Sequence, residues 1–240
     1  MQLTVVGTGS SGNSYVLKDN GRRLILDAGM PWKDIQVACD FDMQSIDGCL
    51  ISHQHGDHSY SIKNLQHNAI TCYTGAKAVE PIYEVTGSVV KPLIGKKRNY
   101  IGEWAVTPVE VHHDVPCYGF LIRSPSGDKV LYATDFSYVG VNGKEYTFRK
   151  LALNHFLIAI NRSSDPDDTA RNLKHIHEGH SSLENVVDFL KSSLTDECVS
   201  IIACHLSERN ADETTILDRL RRIEPAAKVW IAKKGMKIDL

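Results

Sequence analysis

The sequence predicts an α+β fold in which two β-sheets pack against each other with helices outside. Three observations carry this. Short apolar or alternating runs of strand length recur through the first half, strands and helices interleave through the second, and two late stretches show a single apolar face at helical spacing. No low-complexity tract, linker or solenoid-length repeat divides the 240 residues, so the chain reads as one domain, 1–240.

The expected elements follow in order. Residues 3–7 (LTVVG) and 14–18 (SYVLK) are extended, and Asn20-Gly21 is a strong hairpin signal that returns the chain into a strand at 23–29. A short apolar run at 48–52 (GCLIS) suits a buried strand. Strands follow at 104–111, 118–124 and 129–135, the last two joined by the turn PSGD. Residues 155–160, 199–205 and 228–232 are further strands. Between them, 181–194 places apolar residues at 183, 186, 187, 190 and 194 and opens with Ser181-x-x-Glu184, a capping-box pattern. Residues 211–223 form a second amphipathic helix, acidic first and basic last, the order the helix dipole favours.

Composition narrows the function classes. A net charge of −2 gives no global attraction to nucleic acid or anionic membrane, so any polyanion must be held locally. The six cysteines are scattered without a CxxC pair, which argues for reduced, buried thiols and against a zinc ribbon. The first residues lack the basic flank and long apolar run of a signal peptide or anchor, so a cytoplasmic protein without membrane association is expected.

The segment ISHQHGDHSY concentrates His53, His55, Asp57 and His58 in six positions. Packing gains nothing from four adjacent polar side chains, and imidazole and carboxylate together suit borderline divalent ions such as zinc, manganese or iron. Further candidates stand at or just beyond the ends of expected strands: His113, Asp135 and His205. Five imidazoles and two carboxylates exceed one tetrahedral ion, so two metals are expected, with one carboxylate shared. Two adjacent cations bring a common water into its ionising range near neutral pH, which points to hydrolysis.

The spread His53-x-His55-x-Asp57-His58, then His113, Asp135 and His205, resembles the metallo-β-lactamase superfamily. That resemblance implies a four-layer αββα sandwich with a dinuclear site at one edge of the sheets. It implies that His53, His55 and His113 hold one metal, that Asp57, His58 and His205 hold the other, and that Asp135 bridges. It also favours His113 over His112, through the pair His113-Asp114. GTGSSGNSYVL, LDAG, HHD, ATDFSYV, EGHSS and ACHLSERN further resemble the YycJ/WalJ-like branch, a nuclease group to which DNA exonuclease activity is attributed. One departure stands out: the strand after Asp135 ends Ala159-Ile160-Asn161-Arg162, without the acidic residue usual there. It leaves the metal ligands untouched and bears on the substrate side.

The expected activity is therefore phosphodiester cleavage, with nucleic acid, DNA above RNA, as the partner. A small-molecule phosphodiesterase acting on a cyclic phosphate is the alternative enzyme, and a non-catalytic metal-binding nucleic-acid module the alternative of another class. The catalytic set would be Asp57, Asp135 and His180, the last beside a helix start where an imidazole meets a phosphate or a leaving oxygen. The loop Gly7–Asn13, with Ser10, Ser11 and Asn13, lets backbone N–H groups approach a phosphate. Asn161, Arg162 and His180 complete the substrate-binding expectation. Asp27 is expected to hold a ligand histidine. Lys96-Lys97-Arg98, Arg171 and Lys174 are candidate phosphate-channel cations, and His175 and His177 read as surface residues. A homo-oligomer is compatible with the sequence.

Overall fold

The computed structural model describes residues 1–141, 144–163 and 181–240. In chain order the strands of the first half are β1 (Gln2–Gly7), β2 (Ser14–Asp19), β3 (Arg22–Leu26), β4 (Ile46–Leu50), β5 (Cys72–Gly75) and β6 (Lys91–Leu93). Then come β7 (Asn99–Ile101), β8 (Trp104–Val111), β9 (Cys117–Arg123), β10 (Lys129–Ala133), the short pair β11 (Gly140–Val141) and β12 (Lys144–Glu145), β13 (His155–Ala159), β14 (Ser200–Cys204), β15 (Lys228–Ile231) and β16 (Lys237–Asp239). Among the described residues they build two seven-stranded sheets, ordered β16-β1-β2-β3-β4-β5-β6 and β15-β14-β13-β10-β9-β8-β7, and the separate two-stranded pair β11-β12.

Local chemistry explains the joints. Asn20 and Gly21 both take positive φ, as a two-residue hairpin requires, and β2 pairs antiparallel with β3 around them. Beyond each hairpin the sheets turn parallel: β3 to β6 in one, β10, β13, β14 and β15 in the other. Parallel neighbours need crossovers, and the expected late helices supply two, α5 (Leu183–Ser193) and α6 (Glu213–Ile223). α5 buries Leu183, Val186, Val187 and Leu190 at the predicted spacing. α6 is capped by Asp212, which accepts from Thr215 N at 2.6 Å, and packs on β15.

The expected capping box is displaced by one residue. Ser182, not Ser181, caps α5 and accepts from Asn185 N. Ser181 is buried instead, its hydroxyl donating to Ala159 O at 2.6 Å. Glu184 turns outward to Arg219 of α6 at 2.8 Å.

The first half also holds helices that the sequence pattern does not announce: α1 (Trp32–Ala38), α2 (Gly56–Ser59), α3 (Ile62–His67) and α4 (Val79–Thr86). Each is eight residues or fewer, too short to repeat an amphipathic pattern recognisably, and is held by packing more than by propensity. β5, β6, β7 and β16 were likewise outside the sequence expectation; each is four residues or fewer.

Between the sheets lies the apolar core. Tyr118 of β9 lies over Gly75 of β5, where a Cβ would come within 2.3 Å of the ring. Fully buried Trp104 donates to Asp47 at 3.1 Å, tying the two sheets. Tyr15 of β2 and Tyr132 of β10 meet edge to face at 5.7 Å. On the strand next to β10, His155 is buried at the start of β13 beside Ser200, its Nδ1 2.9 Å from the hydroxyl.

Burial lowers the His155 pKa from 6.5 to about 4. The folded protein therefore refuses a proton that the unfolded chain accepts. The contribution is whole above pH 6.5 and is lost as pH falls towards 4. His155→Gln in metal-free protein should lose less urea resistance between pH 7.5 and 4.5 than the parent. Equal losses would show that His155 does not couple folding to pH.

Candidate metal centre

Three expected strands end earlier than the sequence pattern suggests, for one reason. The expected strands run on to Gly29, Asp135 and His205, whereas β3, β10 and β14 stop at Leu26, Ala133 and Cys204. Asp27, Asp135 and His205 leave the ladders with φ of 56°, 43° and 51°. Asp and His tolerate this left-handed conformation better than bulky residues, and its cost is met by the contacts it creates. At each position the reversal lifts a polar side chain off the strand and into a common rim.

Two donor groups result. The first is His53, His55 and His113; the second is Asp57, His58, Asp135 and His205; within each, one ligand atom per residue lies within 4.8 Å of the others. In the first, His55 Nδ1 lies 2.9 Å from His53 Nε2 and 3.4 Å from His113 Nε2. In the second, His58 Nε2 is 2.9 Å from Asp135 Oδ2 and 3.3 Å from Asp57 Oδ2. His205 Nε2 is 3.2 Å from Asp135 Oδ1 and 3.4 Å from Asp57 Oδ2. Asp135 Oδ2 also reaches to 3.7 Å from His53 Nε2, so one carboxylate faces both groups.

The donors are held from behind. His58 Nδ1 lies 2.8 Å from Asp27 Oδ2. Asp27 also accepts from Ser52 N at 2.7 Å, from Ser52 Oγ at 3.0 Å and from the Tyr132 hydroxyl. Ser52 Oγ is in turn 2.9 Å from His53 Nδ1. These contacts leave Nε2 of both rings pointing into the groups, the arrangement that orients metal-ligating histidines. Gly29 is required by close approach: a Cβ there would lie 1.6 Å from Asp57 O.

Electrostatics follow from burial. Burial alone would depress His58, but Asp27 and Asp135 on either side hold it well above its usual range. Burial opposes and Asp135 again dominates at His205, which is raised to about 9. Burial and the neighbouring His58 keep His53 well below its usual range. Burial would raise Asp135, yet His205 and His58 hold it, still ionised, far below the carboxylate range. Packed imidazoles with converging Nε2 and Nδ1 atoms and ionised carboxylates beside them form a hard-to-borderline donor set, which suits divalent ions. Cation-for-proton exchange at such a set couples metal binding to pH.

All seven expected ligands are brought together. His113, not His112, enters the first group; His112 Nδ1 instead lies 2.8 Å from Ser137 Oγ and its ring stacks on Tyr138. Asn13 is fully buried, with Nδ2 3.1 Å from His58 Nε2 and 3.4 Å from Asp57 Oδ2, while Gly9 N donates to its Oδ1 at 2.9 Å. Asn161 is buried beside His205, its Nδ2 donating to the His205 carbonyl at 3.1 Å and to Asp135 at 3.3 Å. Arg162 is buried after β13 and its backbone bridges Ser182. Ser10 and Ser11 are exposed in the loop after β1. Lys96, Lys97 and Arg98 lie between β6 and β7, where β7 is the edge strand three places from β10. Arg171, Lys174, His175, His177 and His180 lie outside the described residues.

Sequence reasoning gave no role at the site to four residues. Asp114 Oδ1 is 3.1 Å from His113 Nε2 and 3.9 Å from His55 Nε2; its place directly after a candidate ligand was the available signal. Thr8 accepts from His205 N at 2.8 Å, and Ser52 and Tyr132 converge on Asp27; none of these carries a sequence signal.

The profile of the metallo-beta-lactamase superfamily matches residues 7–188. The chain belongs to this superfamily of metallohydrolases. Solved structures share the fold over nearly the whole chain. The metallo-beta-lactamase fold protein YhfI of Bacillus subtilis aligns with a TM-score of 0.75 and 18% identity, over 99% of this chain and 98% of that one. A diphosphatase from the PhnP family aligns at 0.67 and 18%, over 100% and 97%. The human short-form tRNase Z aligns at 0.65 and 17%, over 100% and 99%. Two sequence relatives match locally. The anti-Pycsar protein Apyc1 of Bacillus phage 010DV004 is 42% identical over 65 residues, 24% of this chain and 25% of that protein. The exodeoxyribonuclease WalJ of Streptococcus pneumoniae is 32% identical over 64 residues, 25% of this chain and 24% of that protein. These matches thus span about a quarter of the curated relatives' length. Among the described residues no helix is long and apolar enough to cross a membrane.

Asp27→Asn should weaken metal at the second group roughly 10–100-fold, the usual cost of losing such a support. Chelator competition on the zinc-loaded protein would read it, with a smaller loss at the first group, which Asp27 reaches only through Ser52. Unchanged affinity at both groups would show that the Asp27–His58 contact does not tune the site.

Proposed function

We propose that this chain is a dinuclear metal-dependent hydrolase of phosphodiester bonds, acting on nucleic acid and most favourably on DNA. The observation that carries the reading is Asp135, whose one carboxylate faces both donor groups, 2.9 Å from His58 Nε2 and 3.7 Å from His53 Nε2. Structural metal sites close with four protein ligands around one ion; a shared carboxylate between two groups belongs to a reacting pair. The local likeness to WalJ, named an exodeoxyribonuclease, supports DNA as substrate.

His53, His55 and His113 would hold one ion, and Asp57, His58 and His205 the other, with Asp135 between them; zinc or manganese suits the set, and iron also fits. Two divalent ions so held supply Lewis acidity towards a phosphoryl oxygen and a nucleophile at neutral pH. The chain's own residues do the rest. Ser52 and Asp27 fix the His53 and His58 rings, so the donors need not reorganise during reaction. Asp135, with its side chain 6% exposed, is committed to the two groups, whereas that of Asp57 is 27% exposed and faces the approach. Burial would raise Asp57, yet its contacts with His205 and His58 hold it ionised and far below the carboxylate range, so it orients the attacking water by accepting its hydrogen bond. His180 is assigned the leaving oxygen, which it protonates.

A second reading, a phosphodiesterase of small molecules such as cyclic phosphates, draws support from the seclusion of the centre: His53 and His58 are fully buried and Asp135 nearly so. One experiment separates the two. Purified protein, loaded with manganese or zinc, is incubated with end-labelled single- and double-stranded DNA and RNA beside a His58→Ala variant. Metal-dependent shortening of DNA that disappears in His58→Ala is the expected result. Intact strands with two metals bound per chain would overturn the nuclease reading and leave the small phosphodiester. An Asp135→Ala protein with full metal content and activity would overturn the shared-carboxylate mechanism itself.

A further inference from the structure

Beside the second donor group lies a half-enclosed cavity of about 400 Å³. Its walls are the loop after β1 and the loop after β14, and its polar lining includes Thr8, Ser10, Ser11, Ser207, Glu208 and Arg209. Both walls are tied to the metal-binding side chains. Thr8 Oγ1 accepts from His205 N at 2.8 Å. Gly9 is joined to Asn13 by two hydrogen bonds, and Asn13 Nδ2 lies 3.1 Å from His58 Nε2. A group seated here is therefore held at a set position relative to Asp57, His58 and His205.

The lining chemistry selects the occupant. Four hydroxyls and a guanidinium are donors for an oxyanion, and the planar fork of Arg matches phosphate geometry. Among the described residues Leu206 is the one large apolar side chain on the walls, too little to stack a base. Charge sets the count. A groove for an unbroken polynucleotide gathers excess cations along its length. Among the described residues of the lining one arginine stands with one glutamate, a charge complement that suits a single phosphate. The volume sits near the lower end of small-ligand sites, roughly 300–1,000 Å³, and fits the end of a strand.

We infer that this cavity is a subsite for a terminal phosphomonoester, gripped by Arg209 with Ser10, Ser11 and Ser207 while the adjoining diester lies at the metal centre. The inference rests on the phosphodiester reading of that centre and deepens it: strands are engaged from a phosphorylated end. Arg209 is then a specificity-determining residue, and Glu208 limits how much negative charge the subsite accepts.

The test has a kinetic arm and a binding arm. Metal-loaded protein is assayed on DNA oligonucleotides carrying a phosphate at the 5′ end, at the 3′ end, or at neither. One phosphorylated end should lower KM about tenfold, the scale of a lost charge-assisted contact, and Arg209→Ala should erase that preference. Arg209→Lys, which keeps the charge and loses the fork, should restore part of it. Calorimetric titration of the metal-loaded protein with a nucleoside monophosphate should show binding about tenfold weaker in Arg209→Ala and tighter in Glu208→Gln. Equal KM for all three ends, or nucleotide binding indifferent to Arg209, overturns the subsite. Failure to cleave any strand while nucleotide binding still depends on Arg209 overturns the nuclease reading and keeps the phosphate subsite, so the two failures are distinguishable.

Discussion

The buried carboxylate of Asp27 is the contact on which the rest of the site depends. It stands where β3 leaves its sheet, and it meets Ser52 beyond β4, Tyr132 of the opposite sheet and His58 of the donor cluster. A buried charge without partners costs far more than a typical hydrogen bond returns, so these four contacts act together. Through Ser52 the same node reaches His53. One side chain thus sets the orientation of a ring in each donor group and joins both sheets beneath them.

That node also explains why the core and the centre are continuous. Tyr15 and Tyr132 pack edge to face between the sheets, yet their hydroxyls leave the apolar layer, towards Thr8 and Asp27. Thr8 accepts from the His205 backbone as well. The floor of the site is therefore the upper surface of the core. Repacking around either tyrosine would displace metal-binding side chains, because close-packed interiors transmit small shifts.

The rim is built by backbone conformation as much as by side-chain type. Asp27, Asp135 and His205 all adopt left-handed backbone at strand ends, and Gly29 admits the Asp57 carbonyl where no side chain fits. Such conformations persist where surrounding contacts over-determine them, as the contacts of these three residues do at the functional edge. The same loops that carry His205 and Asn13 continue outward as the walls of the neighbouring cavity, so the donor cluster and that cavity share one framework.

Much of this was legible in the residues themselves. Strand-length apolar runs announced the two sheets, and the spacing of Leu183, Val186, Val187 and Leu190 announced α5, because burial imposes its period on the chain. The density of His53, His55, Asp57 and His58 marked a metal site, since nothing in packing rewards such a cluster. The resemblance then supplied His113 over its neighbour, and the structure agrees in bringing His113 to the other two histidines. Short helices α1 to α4 were not legible, because fewer than three turns carry no period. Nor were the roles of Ser52, Tyr132, Thr8 and Asp114, since each is an ordinary residue whose partner is distant in the chain or fixed by a turn. Sequence determined which atoms are present to bind a metal. The residues themselves left their grouping open and only the resemblance implied two sets sharing Asp135; the tertiary structure decides the distances, because these depend on strand ends from both sheets meeting at one edge.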